Sequence, residues 1–302
     1  NYELSGHLSN EIGNLTELRV ISLESNNLKG PLPLEIGKLV NLEELKLSSN
    51  NMRGEIPKEI GNMASLRTLA LKGNNFSGHL PIEITKLKNM EWMYLSSNQF
   101  SGNIPKEFGN MVKFKYLNLS SNLFTGNIPS DLGKLVNLQY LNLSQNQLRG
   151  RIPNELGNLN IFRLNLELNQ LTGRIPDELG NLKMLINLNC SNNQLNGKIP
   201  KSLAGLNRLK KLELQNNKLT GYFPQATLGW KILEELNVSN NELTGSINHD
   251  LGRLENIKSI NLSFNYFDGK IPINLIENEN MELLYVHVNN LKGNMPEVYC
   301  NR

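Results

Sequence analysis

The sequence predicts an α/β solenoid, in which short repeats stack on one another and share one long parallel β-sheet. Three observations lead to this prediction. An asparagine recurs about every 24 residues along almost the whole chain of 302 residues. A short stretch of alternating apolar and polar residues precedes each asparagine, and a Gly-x-Ile-Pro segment usually follows it. A fixed period of about 20–50 residues is typical of solenoids, because one such unit cannot bury its apolar face alone.

The recurring asparagine shows how many repeats the chain contains. One step, between Asn146 and Asn169, is 23 residues long, and a partial copy with Leu4, Gly6 and Leu8 precedes the first full one. Because the pattern leaves no room for a linker, we expect one domain over residues 1–302. The twelve positions are Asn26, Asn50, Asn74, Asn98, Asn122, Asn146, Asn169, Asn193, Asn217, Asn241, Asn265 and Asn289.

One copy can be interpreted residue by residue. The alternation in Leu45-Lys46-Leu47 predicts a short strand with one buried face. Asn50 follows where the chain must turn, and its amide can donate to and accept from backbone groups of the turn and of the next copy. In the Gly-x-Ile-Pro segment, glycine permits unusual backbone angles and proline stiffens the return path.

The complete motif resembles the plant-type extracellular leucine-rich-repeat family; it is Leu-x-x-Leu-x-Leu-x-x-Asn-x-Leu-x-Gly-x-Ile-Pro-x-x-Leu-Gly. The resemblance implies a right-handed superhelix of about twelve repeats, with its parallel β-sheet on the concave face. It also implies an extracellular protein that binds peptides, proteins or small hormones, as receptor-kinase ectodomains and polygalacturonase-inhibiting proteins do. The chain departs from the family because neither end has a cysteine pair; its two cysteines are Cys190 and Cys300.

The residues that catalysis needs are scattered. The histidines His7, His79, His249 and His287 do not stand at metal-ligand spacing with Cys, Asp or Glu. The net charge of +3 is spread evenly, unlike the clustered basic residues of a nucleic-acid footprint. No stretch of 18 apolar residues occurs. We therefore expect no catalytic residues, no cofactor, no metal, no nucleic-acid partner and no membrane span within this chain.

The candidate ligand site lies on the exposed face of the strands. Counting Leu-x-x-Leu-x-Leu-x-x-Asn as positions one to nine, positions three, five and seven face the concave surface. Trp92, Tyr94, Tyr116 and Tyr140 cluster there on three adjacent strands, and Arg163 continues the row. One interpretation is a binding hot spot, in which Trp and Tyr are enriched. The other is a structural ladder of neighbouring aromatic residues, and the sequence leaves both open.

Three further features have structural interpretations. Trp230 replaces a leucine of the repeat and is predicted to lie in the core. Cys190 also replaces a core leucine, which predicts an inert buried thiol. The pairs Lys210-Lys211 and Glu234-Glu235 occur at matching positions of adjacent repeats, which predicts lateral ion pairs.

Seven Asn-x-Ser/Thr sequons are candidate glycosylation sites. They begin at Asn14, Asn75, Asn118, Asn142, Asn189, Asn237 and Asn261. The last five arise from the repeat itself, so repetition alone could produce them. If they carry glycans, the concave face of the second half is covered and the first four repeats stay open.

These features favour a non-enzymatic extracellular recognition module that binds a peptide or protein ligand. An alternative is a secreted inhibitor of a cell-wall hydrolase. A structural or ice-binding protein is a third possibility, which the aromatic cluster disfavours. The expected partners are accordingly a peptide or protein ligand, a co-receptor or a pathogen hydrolase.

Overall fold

The computed structural model describes residues 3–224 and 229–294. The chain divides into two compact units, Asn1–Arg149 and Gly150–Arg302, and both are built from the same coil of about 24 residues. Each coil contains an inner strand, a second strand and, in most cases, one turn of 3-10 helix. The single domain expected over residues 1–302 stays a prediction, and Cys300 lies outside the described residues.

The inner strands occupy positions three to five of the motif, where the sequence predicts them. In each unit they pair in parallel and in chain order, each residue opposite its equivalent in the next coil. The first unit has Val20–Ser22, Glu44–Lys46, Thr68–Ala70, Trp92–Tyr94, Tyr116–Asn118 and Tyr140–Asn142. The second unit has Arg163–Asn165, Asn187–Asn189, Lys211–Glu213, Glu235–Asn237, Ser259–Asn261 and Leu283–Tyr285.

The second strands contain the glycine of the Gly-x-Ile-Pro segment or end directly before it, and they are also parallel. The first unit contains Ser5–His7, Asn27–Gly30, Asn51–Gly54, Asn75–His79, Gln99–Asn103 and Leu123–Thr125. The two-residue strand Arg149–Gly150 falls at the division of the chain. The second unit contains Gln170–Gly173, Gln194–Gly197, Lys218–Tyr222, Glu242–Ser246 and Tyr266–Asp268.

One short helix follows the proline of most coils, because the proline ring fixes φ near the value that the residue before a helix adopts here. Pro33, for example, has φ −68° and ψ 148° directly before the first residue of its helix. The 3-10 helices of the described residues are Asn10–Asn14, Leu34–Lys38, Lys58–Asn62, Ile82–Lys86, Lys106–Asn110, Ser130–Lys134, Asn154–Asn158, Asp177–Asn181, Lys201–Gly205 and His249–Arg253. An α-helical turn, Ile273–Glu277, takes this place in a later coil.

The core runs between the inner strands and the helices. Leu45 and Leu47, on either side of Lys46, have no exposed surface, as the alternation predicts. Trp230 is fully buried, and its Nε1 donates to the Leu203 carbonyl at 2.7 Å, which confirms its predicted place in the core.

The repeated asparagines form a hydrogen-bonded ladder. The Nδ2 of Asn74 donates to the carbonyls of Leu47 and Leu71 at 3.0 and 3.1 Å, and its Oδ1 accepts from the Met52 amide at 3.0 Å. The same bonds recur at Asn122, Asn193 and other coils. Each asparagine therefore satisfies backbone groups of its own coil and of the coil before it.

The predicted lateral ion pairs are confirmed. Lys210 Nζ lies 2.7 Å from Glu234 Oε1, and Lys211 Nζ lies 2.6 Å from Glu235 Oε1. All four side chains are partly solvated, so each pair contributes at most about 1 kcal/mol.

Cys190 is expected to be unreactive in the folded protein. The side chain is fully buried, and this burial raises the pKa of the thiol to about 12. Since the thiolate is the reactive form, native protein treated with iodoacetamide should remain unmodified at Cys190, whereas protein in denaturant should be alkylated. Peptide mass spectrometry distinguishes the two states, and rapid native labelling of Cys190 would contradict the prediction.

Candidate functional site

The exposed face of the inner sheet in the first unit brings four predicted residues together. Trp92, Tyr116 and Tyr140 lie directly opposite one another on three adjacent strands. Tyr94 lies two residues after Trp92 and points to the same face. All four side chains are half-buried.

The three tyrosines form a stack. The ring centroids of Tyr94 and Tyr116 are 4.5 Å apart, and those of Tyr116 and Tyr140 are 4.1 Å apart with an interplanar angle of 4°. Stacking of this kind stabilises neighbouring strands, so Tyr116 and Tyr140 have a structural role whether or not they also touch a ligand.

Trp92 stands apart from the tyrosine stack. The Nζ of Lys115 lies 5.0 Å from the centre of its ring and also forms an ion pair with Glu91 at 2.6 Å. This cation–π contact holds the indole against its own sheet. Trp92 and Tyr94 both border a groove.

This first-unit groove has a volume of about 530 Å³. Ala70 and Thr68 are almost completely buried on the strand between the wall residue Trp92 and the charged residue Glu44. Ala70 is the smallest position-five residue of this unit, which leaves the space open between Lys46 and Tyr94. The groove is lined by Glu24, Glu44, Lys46, Ser48, Thr68, Ala70, Lys72, Trp92 and Tyr94.

Charges of both signs surround the first-unit groove. A hydrogen bond to Glu44 raises the pKa of Lys46, burial opposes this effect, and Glu24 adds to the rise. Lys72 is exposed, and no acidic side chain of residues 3–224 and 229–294 lies within ion-pair distance of it. The groove thus combines an aromatic wall with a cation available to an acidic group.

The hydroxyls of Tyr94 and Tyr116 remain protonated at neutral pH, because the pKa of each is raised. Burial raises the pKa of Tyr94, and the nearby Lys46 cation lowers it by a smaller amount. Burial also raises the pKa of Tyr116, and a hydrogen bond with Tyr140 raises it further. The exposed ends of these side chains are therefore neutral donors and acceptors.

Arg163 belongs to the second unit. It is the first residue of that unit's first inner strand, it is exposed, and it lies opposite Asn187. Its predicted role as a ligand contact stays a prediction.

The repeat-derived sequons have a structural function of their own. The Oδ1 of Asn118 accepts from the Ser120 amide at 3.0 Å and from its hydroxyl at 2.7 Å. Asn165, which is not in a sequon, accepts the amide of Glu167 in the same way. The asparagine therefore ends the strand by an Asx turn, irrespective of any glycan. The same turn recurs at Asn142, Asn189, Asn237 and Asn261.

The two remaining sequons are found away from the inner sheets. Asn14 ends the first 3-10 helix and Asn75 begins a second strand, and both are exposed. Their glycosylation stays a prediction.

The second unit contains another groove, of about 490 Å³, which the sequence analysis missed. An exposed phenylalanine at position eight, where most coils have Ser, Gly or Asn, is the signal that marks it. This second-unit groove is lined by Asn216, Ser239, Asn240, Asn261, Ser263, Phe264, Tyr285 and His287.

Two larger grooves follow from the repeat itself. One in the first unit, of about 1050 Å³, and one in the second, of about 730 Å³, are both lined by Gly-x-Ile-Pro segments and the residues around them. Because the same positions line both, we interpret them as a consequence of the coil geometry.

The part of the chain that the structure describes contains no cluster of three or more His, Cys, Asp and Glu residues that could hold a metal ion. None of its helices is long and apolar enough to cross a bilayer.

Models of the leucine rich repeat match most of the chain, at residues 17–39, 41–63, 64–124, 88–148, 160–182, 184–206 and 207–267. No curated protein sequence shows significant similarity to the chain.

Several solved structures, in contrast, are similar to the chain. The plant peptide hormone receptor RGFR1, in complex with RGF2, matches with a TM-score of 0.91 and 36% identity, over 96% of this chain and 46% of the receptor. The Arabidopsis receptor kinase HAESA, in complex with the peptide hormone IDA and the co-receptor SERK1, matches with a TM-score of 0.87 and 32% identity, over 99% of this chain and 54% of HAESA. The chain thus spans about half the length of these two receptor chains.

A plant ice-binding protein is also similar. It matches with a TM-score of 0.65 and 29% identity, over 93% of this chain and 84% of that protein. Proteins with different ligands therefore share this architecture, and the exposed residues must distinguish among them.

Proposed function

Since the chain belongs to the leucine-rich repeat family, we propose that it is an extracellular recognition module that binds a peptide segment in the first-unit groove. The similarity to ectodomains that bind peptide hormones supports a ligand-binding role. The single observation that carries the proposal is the groove between Lys46 and Tyr94, with Trp92 at its wall.

The chemistry of the groove fits a peptide. Trp92 and Tyr94 offer large amphipathic surfaces, and such residues dominate the binding energy of many protein interfaces. The Lys72 ammonium group can pair with a carboxylate of the ligand, while Glu24 and Glu44 can pair with its basic groups. A segment with both charges and an apolar side chain would satisfy all of these residues.

The other predicted contact residues differ in their roles in the proposal. Tyr116 and Tyr140 hold Tyr94 in place through the tyrosine stack, and their exposed edges extend the aromatic wall. Arg163 remains a prediction from the sequence as an anchor for an acidic group.

A secreted inhibitor of a cell-wall hydrolase is the alternative that uses the same surface. An aromatic groove with unpaired charge suits a protruding loop of an enzyme as well as a free peptide. An ice-binding role is less well supported, because ice recognition requires a flat, regular face, and the groove beside Trp92 makes the exposed face of the inner sheet uneven.

The test is to replace Trp92 with alanine. We expect the affinity for the ligand to fall at least about thirtyfold, as for an interface hot spot, while the melting temperature stays close to that of the parent. Surface plasmon resonance would use peptides selected from a display library, and purified polygalacturonase would serve as the hydrolase arm. Binding of the enzyme alone would favour the inhibitor.

Two variants complete this experiment. Val20→Ala removes an exposed position-three side chain that does not line the groove and should leave the affinity unchanged. Tyr140→Ala should lower the melting temperature through loss of the stack. If Trp92→Ala binds as the parent does, the ligand site lies elsewhere and the proposal is wrong.

A further inference from the structure

We propose that Asn261 carries an N-linked glycan whose first sugar packs into the second-unit groove against Tyr285. The inference rests on the proposed extracellular function, because N-glycosylation takes place in the secretory pathway. It assigns an occupant to a groove for which the ligand-binding proposal has no use.

The acceptor group is available. Asn261-Leu262-Ser263 is a sequon, and the Oδ1 of Asn261 accepts from the Ser263 amide at 3.0 Å and from its hydroxyl at 2.7 Å. Within the described ranges, the Nδ2 of Asn261 has no hydrogen-bond partner, unlike the Nδ2 of Asn189, which donates to Glu167 at 3.2 Å. The Asx turn thus occupies the oxygen and leaves free the nitrogen to which a sugar is attached.

The transfer uses a diphosphate-activated oligosaccharide as the donor. The Nδ2 forms a bond to the anomeric carbon of the first sugar and gives up one proton, and the bond from that carbon to the phosphate breaks as the diphosphate leaves. Ser263 is almost completely buried in the folded chain. The modification therefore precedes the closure of this coil.

An aromatic ring stands beside the acceptor. Asn261 and Tyr285 are register partners on neighbouring parallel strands, so their side chains leave the same face of the sheet about 4.8 Å apart. Tyr285 is 41% exposed, and the ring contact it makes is an edge contact with His287 at 6.4 Å. A sugar on Asn261 begins next to this ring, and the apolar C–H face of a pyranose can cover it.

Phe264 forms the opposite wall of the groove at a conformational cost. Its φ is +55°, a left-handed conformation that disfavours bulky residues, and its side chain is 50% exposed. The preceding coils have Asn216 and Asn240 at this position. Bulky exposed residues also occur at this position in Leu168 and Val288, so the coil accepts phenylalanine here, and its exposed ring gives the groove an apolar wall that a sugar can cover.

The lack of charged residues in the lining of the second-unit groove favours a neutral occupant. Its lining contains amides, hydroxyls, His287 and two rings, without Lys, Arg, Asp or Glu. The first-unit groove, in contrast, has four charged residues. The Nδ2 of Asn240 donates to the Oδ1 of Asn216 at 2.7 Å, and the Oδ1 of Asn240 can accept from a sugar hydroxyl.

Other sequons of the inner sheets lack this arrangement. Asn237 lies opposite Glu213 and Asn261, neither of which is aromatic. Asn118 lies opposite Tyr94, but the ring of Tyr94 is already packed on Tyr116. Asn261 is therefore the site at which an attached sugar finds a vacant ring.

The experiment uses the full chain secreted from a eukaryotic host. Peptide mass spectrometry should find Asn261 glycosylated. In native protein, an amidase that cleaves the bond between asparagine and the first sugar should release the Asn261 glycan about tenfold more slowly than the exposed Asn75 glycan, because the packed sugar shields the bond.

The Tyr285→Asn variant removes the ring and keeps the fold, because asparagine is the residue of the two preceding coils at this position. It should raise the Asn261 release rate to that of Asn75. Tyr285→Phe should preserve the slow release. Tyr266→Ala is the matched control, since Tyr266 is exposed but does not line the groove, and it should change nothing.

Two results would overturn the proposal. One is an unmodified Asn261 in protein whose Asn75 is glycosylated. The other is an equal release rate in the parent and in Tyr285→Asn. Neither result affects the proposed function, which depends on ligand binding at Trp92.

Discussion

Replacing Phe100 with alanine should lower the free energy of unfolding by about 3–5 kcal/mol, the usual cost of deleting a buried aromatic ring. Phe76, Phe100 and Phe124 are fully buried and stack in consecutive coils, with centroids 6.2 and 6.4 Å apart. Loss of the middle ring leaves a cavity and exposes both neighbours to it. Urea denaturation followed by circular dichroism measures the change.

Phe100→Leu is the matched control. Leucine occupies the equivalent position two and three coils later, at Leu148 and Leu171, where it is also fully buried. We expect a loss of about 1.5 kcal/mol or less, because leucine refills most of the space. If Phe100→Leu destabilises the protein as much as Phe100→Ala, then the shape of the aromatic stack, and not its volume, determines stability.

Replacing Asn122 with alanine should cost about 3 kcal/mol or more, since each orphaned buried polar group costs about 1–3 kcal/mol. The Nδ2 of Asn122 donates to the carbonyls of Leu95, Leu119 and Ser120 at 3.0–3.2 Å, and its Oδ1 accepts from the Phe100 amide at 3.0 Å. Alanine can replace none of these bonds, and Asn122 is only 6% exposed, so the groups that lose their partner lie away from bulk water.

Asn26→Ala provides the comparison for the ladder. Asn26 makes two carbonyl contacts in its own coil and accepts from the Leu4 amide at 3.2 Å in an exposed setting. Water can satisfy these groups after the substitution, so we expect a loss of about 1 kcal/mol. Equal melting temperatures for Asn26→Ala and Asn122→Ala would show that the ladder bonds contribute little.

The regular features of the coil could be predicted from the sequence because each depends on residues 24 apart. The alternation at Leu45 and Leu47 gave the strand and its buried face. The opposite charges of Lys211 and Glu235, 24 residues apart, predicted an ion pair between adjacent coils. Such features repeat in register, so one copy of the motif constrains all the others.

The site could be predicted only in part. Trp92 and Tyr94 were found because large aromatic residues are unusual on an exposed strand face. The groove beside them was missed because it is made by the small size of Ala70, and a small residue attracts no notice in a sequence. The stacking of Tyr116 on Tyr140 depends on side-chain rotation, which the spacing of residues does not determine.

The second-unit groove was missed for a different reason. Phe264 lies at position eight, which the repeat motif leaves unspecified, so the sequence analysis made no prediction for it. The left-handed conformation of this position recurs at Asn216 and Asn240. A phenylalanine at a position that has Asn, Ser or Gly in most coils is the signal that marks this groove.

The asparagine ladder also has a consequence for the synthesis of the protein on the ribosome. The Oδ1 of Asn74 accepts from the amide of Met52, 22 residues earlier, and its Nδ2 donates to the carbonyl of Leu47, 27 residues earlier. A coil that has just been translated therefore keeps unsatisfied backbone groups until the asparagine of the following coil emerges. The nascent chain thus gains structure from its N-terminal end onward, about one repeat behind translation, and a pause between repeats leaves one incomplete coil at the growing end.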